Sequence, residues 1–80
     1  MSLIELTETI LKSLVKDKNS ISVKQLEEDN ELIIQIVLKE EDKSVLFDKD
    51  GKILNSLKTI LQASSYLKEN KRVKIDITSY

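Results

Sequence analysis

The stretch that decides the fold is Val45-Leu46-Phe47-Asp48-Lys49-Asp50-Gly51-Lys52-Ile53, near the middle of the chain. It places an acidic tetrapeptide, residues 48–51, between two apolar pieces that both fit helices. Gly51 is the only glycine of the protein, and glycine adopts the left-handed backbone of a tight turn more readily than any other residue. The stretch therefore predicts a loop at 48–51 that joins a short helix, residues 42–47, to a long helix, residues 52–69.

The N-terminal half predicts one helix and two paired strands. Ser2 and Glu5 have the spacing of a capping box, so we expect a first helix from Leu3 to Lys16. Two short runs, residues 21–24 and 32–38, then show the period of two that is typical of strands. A short acidic turn connects these two strands.

The C-terminal half predicts the long helix and a third strand. The helix is expected to bury one face, which consists of Ile53, Leu57, Ile60, Leu61, Ser64 and Leu67. Val73, Ile75 and Ile77 alternate with polar residues as the final strand. Among the aromatic residues we expect Phe47 in the core, and Tyr66 and Tyr80 at the surface.

The predicted element order is α-β-β-α-α-β, in a single domain that spans residues 1–80. Two helices between the second and third strands form a crossover long enough to bring the last strand into the same sheet. Helices on one face of a three-stranded mixed sheet make a two-layer α+β domain. A core of this size only slightly outweighs chain entropy, so dimerisation would be a natural supplement.

Composition argues against several classes of function. The chain has no cysteine and no histidine, so the usual thiol nucleophile, imidazole base and zinc ligands are missing. We therefore expect neither an enzyme nor a bound metal or cofactor, and no small-molecule substrate. No apolar run approaches the length that spans a bilayer, and the N-terminus lacks a basic leader. These features predict a cytoplasmic protein without membrane contact.

Charge is distributed unevenly along the chain. Residues 1–42 contain five Lys and ten Asp or Glu, whereas residues 43–80 contain eight Lys or Arg and four Asp or Glu. The two parts therefore carry charges of -5 and +4, which sum to the net charge of -1. A basic C-terminal half is suited to follow a phosphate backbone, although the same lysines also fit an ordinary solvated surface.

Asp48 and Asp50 admit other interpretations. With Gly51 they imitate the middle of an EF-hand calcium loop, but Leu46 and Leu57 would then stand where the first and last ligands belong. Asp48 alone fits a cap that accepts hydrogen bonds from the first free amides of the long helix. The pair lies in a predicted exposed turn, which does not favour acid–base catalysis.

Three segments together resemble the small single-domain bacterial KH proteins of the KhpA (YlqC-like) family. They are the central stretch, residues 45–53, then Lys58-Thr59-Ile60-Leu61, and finally Lys68-Glu69-Asn70-Lys71-Arg72-Val73. The resemblance covers essentially the whole chain and implies the type II KH fold. In KH domains a Gly-x-x-Gly loop between two helices holds the nucleic-acid backbone.

The resemblance implies a degenerate form of that loop. Asp48 stands at the first glycine position, Lys49 and Asp50 at the two variable positions, and Gly51 at the second glycine. Lys52 stands where the family usually has arginine. Each aspartate would repel a phosphate about 6 Å away by about 0.7 kcal/mol at water-like screening, and by about 3 kcal/mol at an effective dielectric constant of about 20.

The leading hypothesis is a protein that binds single-stranded RNA weakly and with little sequence preference, through the helix-loop-helix at residues 42–69. The loop would make the main contacts, and flanking basic residues would add phosphate contacts: Lys52, Lys58, Lys71 and Arg72. The alternative is a pseudo-KH module that has lost RNA binding through Asp48 and Asp50. Its task would be to form a homodimer, or a heterodimer with a larger KH-containing protein, as the resemblance implies.

Overall fold

The protein is described by a computed structural model that covers every residue except Met1, Lys16 and Glu69. The side chains of the covered residues are described as well, except that of Lys49. Its elements are α1 (Leu3–Lys12), β1 (Ser22–Glu28), β2 (Glu31–Leu38), α2 (Glu40–Lys68) and β3 (Arg72–Ser79).

Helix α1 begins at the predicted capping box and ends one turn early. The Ser2 hydroxyl accepts a hydrogen bond from the Glu5 amide at 3.1 Å, and the Ser2 amide donates to the Glu5 carboxylate at 3.3 Å. The Ser13 hydroxyl donates to the Ile10 carbonyl at 2.6 Å, and such local bonding by serine competes with helical bonding. The predicted extension of the helix towards Lys16 is therefore wrong, and Lys16 itself lies outside the described residues.

The sheet has the strand order β1-β2-β3, with β1 antiparallel and β3 parallel to the central strand β2. On β2 the residues that face the helices are fully buried, and they are Leu32, Ile34, Ile36 and Leu38. The alternate residues of β2 are only partly buried, because no helix covers the other face. The predicted mixed sheet of three strands, with its helices on one side, is confirmed.

Helical structure continues through all 29 residues of α2, but the helix is not straight. Asp50 and Gly51 adopt left-handed φ values of 59° and 75°, which no regular right-handed helix contains. A straight helix of this length would measure about 43 Å, whereas the longest axis of the molecule is 33 Å. Residues 48–51, called the corner below, therefore divide α2 into a first arm, residues 40–47, and a second arm, residues 52–68.

This division confirms the predicted order α-β-β-α-α-β. The first arm starts at Glu40 rather than at Asp42, because acidic residues at the start of a helix complement its positive end. The predicted end of the second arm, Glu69, lies outside the described residues.

One hydrophobic cluster joins both helices to the sheet. It consists of Leu3, Leu11, Val15, Leu32, Ile34, Ile36, Leu38, Leu46, Leu57, Leu61 and Val73. The second arm turns Leu57, Leu61 and Ser65 towards the sheet. The predicted burial of Ile60 and Leu67 is wrong, since these side chains are 45% and 89% exposed. Both lie to one side of the narrow stripe that meets the sheet.

The end of α2 is attached to the start of β3 by polar side chains. Gln62 donates to the Lys71 carbonyl at 3.0 Å and accepts from the Val73 amide at 2.9 Å. The buried Ser65 hydroxyl donates to the same Lys71 carbonyl at 2.7 Å. Asn70 closes the helix with a left-handed φ of 54°, as asparagine often does at this position. We call Gln62, Ser65 and the backbone of residues 71–73 the clamp.

No helix within the described residues combines the length and the apolar character that a membrane span needs.

Candidate nucleic-acid interface

The corner exposes backbone and charge together. Asp48 and Asp50 are exposed, and a Cβ atom added to Gly51 would have no neighbour within 4 Å. Glycine is thus required here by its positive φ and not by crowding. The side chain of Lys49 lies outside the described part of the chain. An open corner with a left-handed backbone, directly before a helix, can present amide groups to an anion.

One face of the first arm looks towards the C-terminal end of β3. Glu40, Lys43 and Phe47 have the spacing i, i+3, i+7, which places them on one side of a helix. Glu40 accepts a hydrogen bond from the hydroxyl of Ser79, the last residue of β3. Lys43 and Phe47 thus lie on the side of the first arm that contacts the end of β3, and the surface between the first arm and the edge of β3 is called the groove below.

The Phe47 ring is 48% exposed, so its predicted place in the core is wrong. Asp42 and Leu46 are four residues apart on the side of the first arm that faces the core, and they are 1% and 0% exposed. Phe47 follows Leu46 by one residue and is rotated about 100° away from the core. The Lys43 ammonium nitrogen lies 5.9 Å from the centroid of the Phe47 ring, which is cation–π geometry.

The sequence analysis did not identify Lys43 or Phe47 as a candidate contact. The available signal was the adjacency of Leu46 and Phe47, since two neighbours cannot both face the core of one short helix. The predicted surface positions of Tyr66 and Tyr80 are confirmed, at 53% and 67% exposure.

The edge of β3 forms the other wall of the groove. The Tyr80 amide donates to the Leu38 carbonyl, so the backbone of even-numbered residues on β3 turns towards β2. The Val73 amide donates in the opposite direction, to Gln62. Beyond the clamp, the outward backbone groups of Ile75 and Ile77 therefore lie on the open edge of the sheet, because β3 is an edge strand.

The predicted basic residues are not brought together. Lys52 and Lys58 are exposed on the second arm and within two turns of each other. Lys71 forms an ion pair with Glu27 of β1, and Arg72 begins β3. Since the second arm separates them from the corner, Lys71 and Arg72 lie about 25 Å from it.

Negative charge predominates around the corner. Residues 40–52 contain five acidic and three basic residues, which gives a charge of -2. The basic character of the C-terminal half thus resides mainly in the second arm and in β3. A phosphate that approaches the corner amides would meet Asp48 and Asp50 at close range, and both carboxylates would repel it.

An exposed ion pair lies near the same end of the sheet. Lys39, directly after β2, lies 2.8 Å from Asp17. The hydrogen bond from Lys39, assisted by one from the Asn19 amide, lowers the pKa of Asp17, and the same bond, which Asp17 accepts, raises the pKa of Lys39. The Tyr80 hydroxyl donates to the Ser20 carbonyl at 2.7 Å. These contacts attach the segment between α1 and β1 to the ends of β2 and β3.

Comparison with known proteins identifies relatives over nearly the whole chain. A family model described as KhpA/KhpB, KH domain, matches residues 4–77. The RNA-binding protein KhpA of Clostridium acetobutylicum is 33% identical over 73 residues, which cover 91% of this chain and 96% of that protein. KhpA of Thermotoga maritima is also 33% identical, over 91% of this chain and 95% of its own length. These relatives bear the name of a binding protein and not of an enzyme, in agreement with the sequence analysis.

Solved structures show the same fold inside a larger protein. Era in complex with MgGDPNP and nucleotides 1506–1542 of 16S ribosomal RNA is similar with a TM-score of 0.65 and 22% identity, over 96% of this chain and 29% of Era. A variant of Aquifex aeolicus Era bound to GDP and AlF4- gives a TM-score of 0.64.

The element order confirms the type II KH-like arrangement that the sequence resemblance implied. Motifs, family model and full-length relatives agree. This chain belongs to the KhpA/KhpB family of KH-domain proteins.

Proposed function

We propose that residues 1–80 form one RNA-binding domain, which binds single-stranded RNA weakly and with little sequence preference. The site is the groove bounded by the first arm of α2, the corner and the edge of β3. The observation that carries this proposal is the pair of left-handed residues, Asp50 and Gly51, at an open corner directly before the second arm. The names of the relatives support RNA as the ligand.

The charges assign a role to each loop residue. The backbone of the corner and the ammonium groups of Lys49, Lys52 and Lys58 attract phosphate. Asp48 and Asp50 oppose it, so that the affinity is low and depends strongly on salt. Lys71 and Arg72 would add contacts only to a strand long enough to reach the far end of β3. A cytoplasmic location stays a prediction.

The test is a fluorescence anisotropy titration with a short labelled single-stranded RNA of mixed sequence, at several salt concentrations. The double variant Asp48→Gly, Asp50→Gln removes both negative charges from the corner. It should bind at least about tenfold more tightly than the wild type, since two repulsions of about 0.7 kcal/mol or more are lost. For both proteins, the affinity should fall as salt rises.

A matched control removes two negative charges elsewhere. Glu28 and Asp29 are exposed at the turn between β1 and β2, and Asp29 also has a left-handed φ, of 52°. The double variant Glu28→Gln, Asp29→Gly should leave RNA affinity nearly unchanged. Equal tightening by both double variants would show that only net charge matters. Absence of binding by the wild type and by the corner variant would refute the proposal.

A second candidate function, self-association, is favoured by the second arm. Residues 53–67 contain a single charged residue, Lys58, whereas 34% charged content predicts about five in fifteen residues. Ile60, Ala63 and Leu67 lie exposed along one side at the spacing of a helix–helix seam. Loss of charge on an exposed helix face is typical of the core of a protein interface. We propose a second copy of this chain as the occupant, with a larger KH-containing protein as the alternative partner.

Light scattering measures this association directly. A homodimer should have a mass of about 18 kDa, twice the 9.2 kDa of the chain. Leu67→Lys should restore the monomer. Leu26→Lys, a matched change at a leucine that is 43% exposed on β1, should not. A wild-type mass that stays at 9.2 kDa at high concentration would rule out the homodimer.

A further inference from the structure

We infer that Phe47 is a stacking residue for a nucleobase of the bound RNA, and that Lys43 moves from the ring to a neighbouring phosphate when the base arrives. This inference rests on the proposed function and adds to it a contact with a base, beside the contacts with the phosphate backbone. It concerns a side chain that the family resemblance did not single out.

The first support is the exposure of the ring. Phe47 is the only phenylalanine of the chain and leaves 48% of its surface accessible, although Leu46 beside it is fully buried. An exposed phenylalanine loses the hydrophobic stabilisation that burial gives and has no polar group to satisfy. Since every base has a flat apolar face, a base is a suitable partner for such a ring.

The second support is position. Phe47 directly precedes the corner, and its helix face borders the groove that ends where Glu40 accepts the hydrogen bond from Ser79. A backbone held at the corner would therefore place a base within reach of the ring. Across the groove, the outward backbone groups of Ile75 and Ile77 lie on the edge of β3, where they can bond to the polar edge of a base.

The third support is the cation that lies over the ring. Lys43 is 5.9 Å from the ring centroid, and at an exposed site such a contact contributes less than the stacking of a base. A base can therefore displace the ammonium group. Once displaced, the ammonium group remains close to the phosphates on either side of that base. Phe47 would then stack on the base, and Lys43 would contact a phosphate beside it.

The predicted consequence is a separation of two effects in RNA titrations. Phe47→Leu should weaken binding about five- to 100-fold by the same factor at every salt concentration, because stacking releases no counterions. Lys43→Gln should weaken binding and also reduce the slope of log K against log salt by about 0.7, because one phosphate contact is lost. Thermal melting verifies that both variants remain folded.

A second measurement locates the base. The chain has no tryptophan, so Phe47→Trp introduces a unique fluorophore whose emission should be quenched as RNA binds. Tyr66→Trp is the matched control at an exposed aromatic residue near the far end of the second arm, and its emission should not change. Quenching should saturate at the RNA concentration that saturates anisotropy.

The outcomes separate this inference from the proposed function. If the wild type binds RNA while Phe47→Leu binds equally well, or while Phe47→Trp shows no quenching, the stacking role is refuted and the RNA site stands. If the emission of Phe47→Trp responds to protein concentration without RNA, the ring belongs to a protein contact and the inference is also refuted. If the wild type binds no RNA, both fail together.

Discussion

The corner lies within α2 and the clamp lies between α2 and β3, and left-handed residues at or beside each of them are supported differently. At the clamp, Asn70 leads into a segment whose backbone is bonded by Gln62 and by the buried Ser65. At the corner, Asp50 and Gly51 adopt the same backbone region in succession, and an added Cβ on Gly51 would touch nothing. The clamp supports its unusual backbone with polar side chains, whereas the corner is open.

This difference separates a segment that stabilises the fold from a corner that fits the proposed binding role. Unusual backbone geometry persists only when surrounding structure determines it, and it concentrates at functional sites. The corner contributes no close packing at Gly51 and displays charge, exposed backbone and the half-exposed Phe47 beside it. We therefore expect substitutions at the clamp to change the free energy of unfolding, and substitutions of the corner aspartates to change RNA affinity.

The largest expected effect on stability is at the clamp. Gln62→Ala removes the acceptor for the Val73 amide and one of two donors to the Lys71 carbonyl, and should lower the free energy of unfolding by about 1–3 kcal/mol. Ser65→Ala should have a smaller effect, because the Lys71 carbonyl still accepts a hydrogen bond from Gln62. Urea denaturation measures both changes.

Thr59→Ala is the matched control for the clamp. It also removes a side-chain bond to a backbone carbonyl, that of Asn55 at 3.0 Å, but on the exposed side of the same helix. It should be neutral or slightly stabilising, since alanine favours the helix. A loss of stability as large as that of Gln62→Ala would remove the distinction between clamp and surface.

The second effect concerns backbone conformation at the corner. Gly51→Ala should lower the free energy of unfolding by about 1–2 kcal/mol through strain at its φ of 75°. Gly51→Asn should cost less, because asparagine tolerates the left-handed region better. Equal stability of the alanine variant and the wild type, in the same urea denaturation, would show that the corner relaxes and is not held by the arms.

Much of the fold is readable from the sequence because several of its local signals are unambiguous. The capping box at Ser2, the alternation along β2 and the glycine at position 51 each specify one local structure, and all three lie where they were predicted. The order of elements followed from these signals and from the length of the crossover between the second and third strands.

The side of the first arm that faces the core could not be predicted, because this arm is short. With about two turns between its start and the corner, apolar spacing does not define which side faces the core. The deciding residue is Asp42, a carboxylate that is only 1% exposed and that composition alone would place outside. Its burial, together with that of Leu46, turns Phe47 outward. The clamp was missed for a related reason, since a partly buried glutamine has no sequence signature.

The smallest expected effect comes from the ion pair between Asp17 and Lys39, which sharpens the comparison between exposed and enclosed polar contacts. The bond from Lys39 lowers the pKa of Asp17 in the folded protein, so the folded state is stabilised above the unfolded pKa of Asp17. This contribution should disappear as pH falls below about 4 and the carboxylate becomes protonated. The melting temperatures of the wild type and Asp17→Asn should therefore differ slightly at neutral pH and low salt, and converge in acid or in high salt. Gln62→Ala should melt at a lower temperature than the wild type under all these conditions, because the clamp contains no titrating side chain. If the difference caused by Asp17→Asn persists in acid, it does not arise from the ion pair with Lys39, because the protonated carboxyl carries no charge.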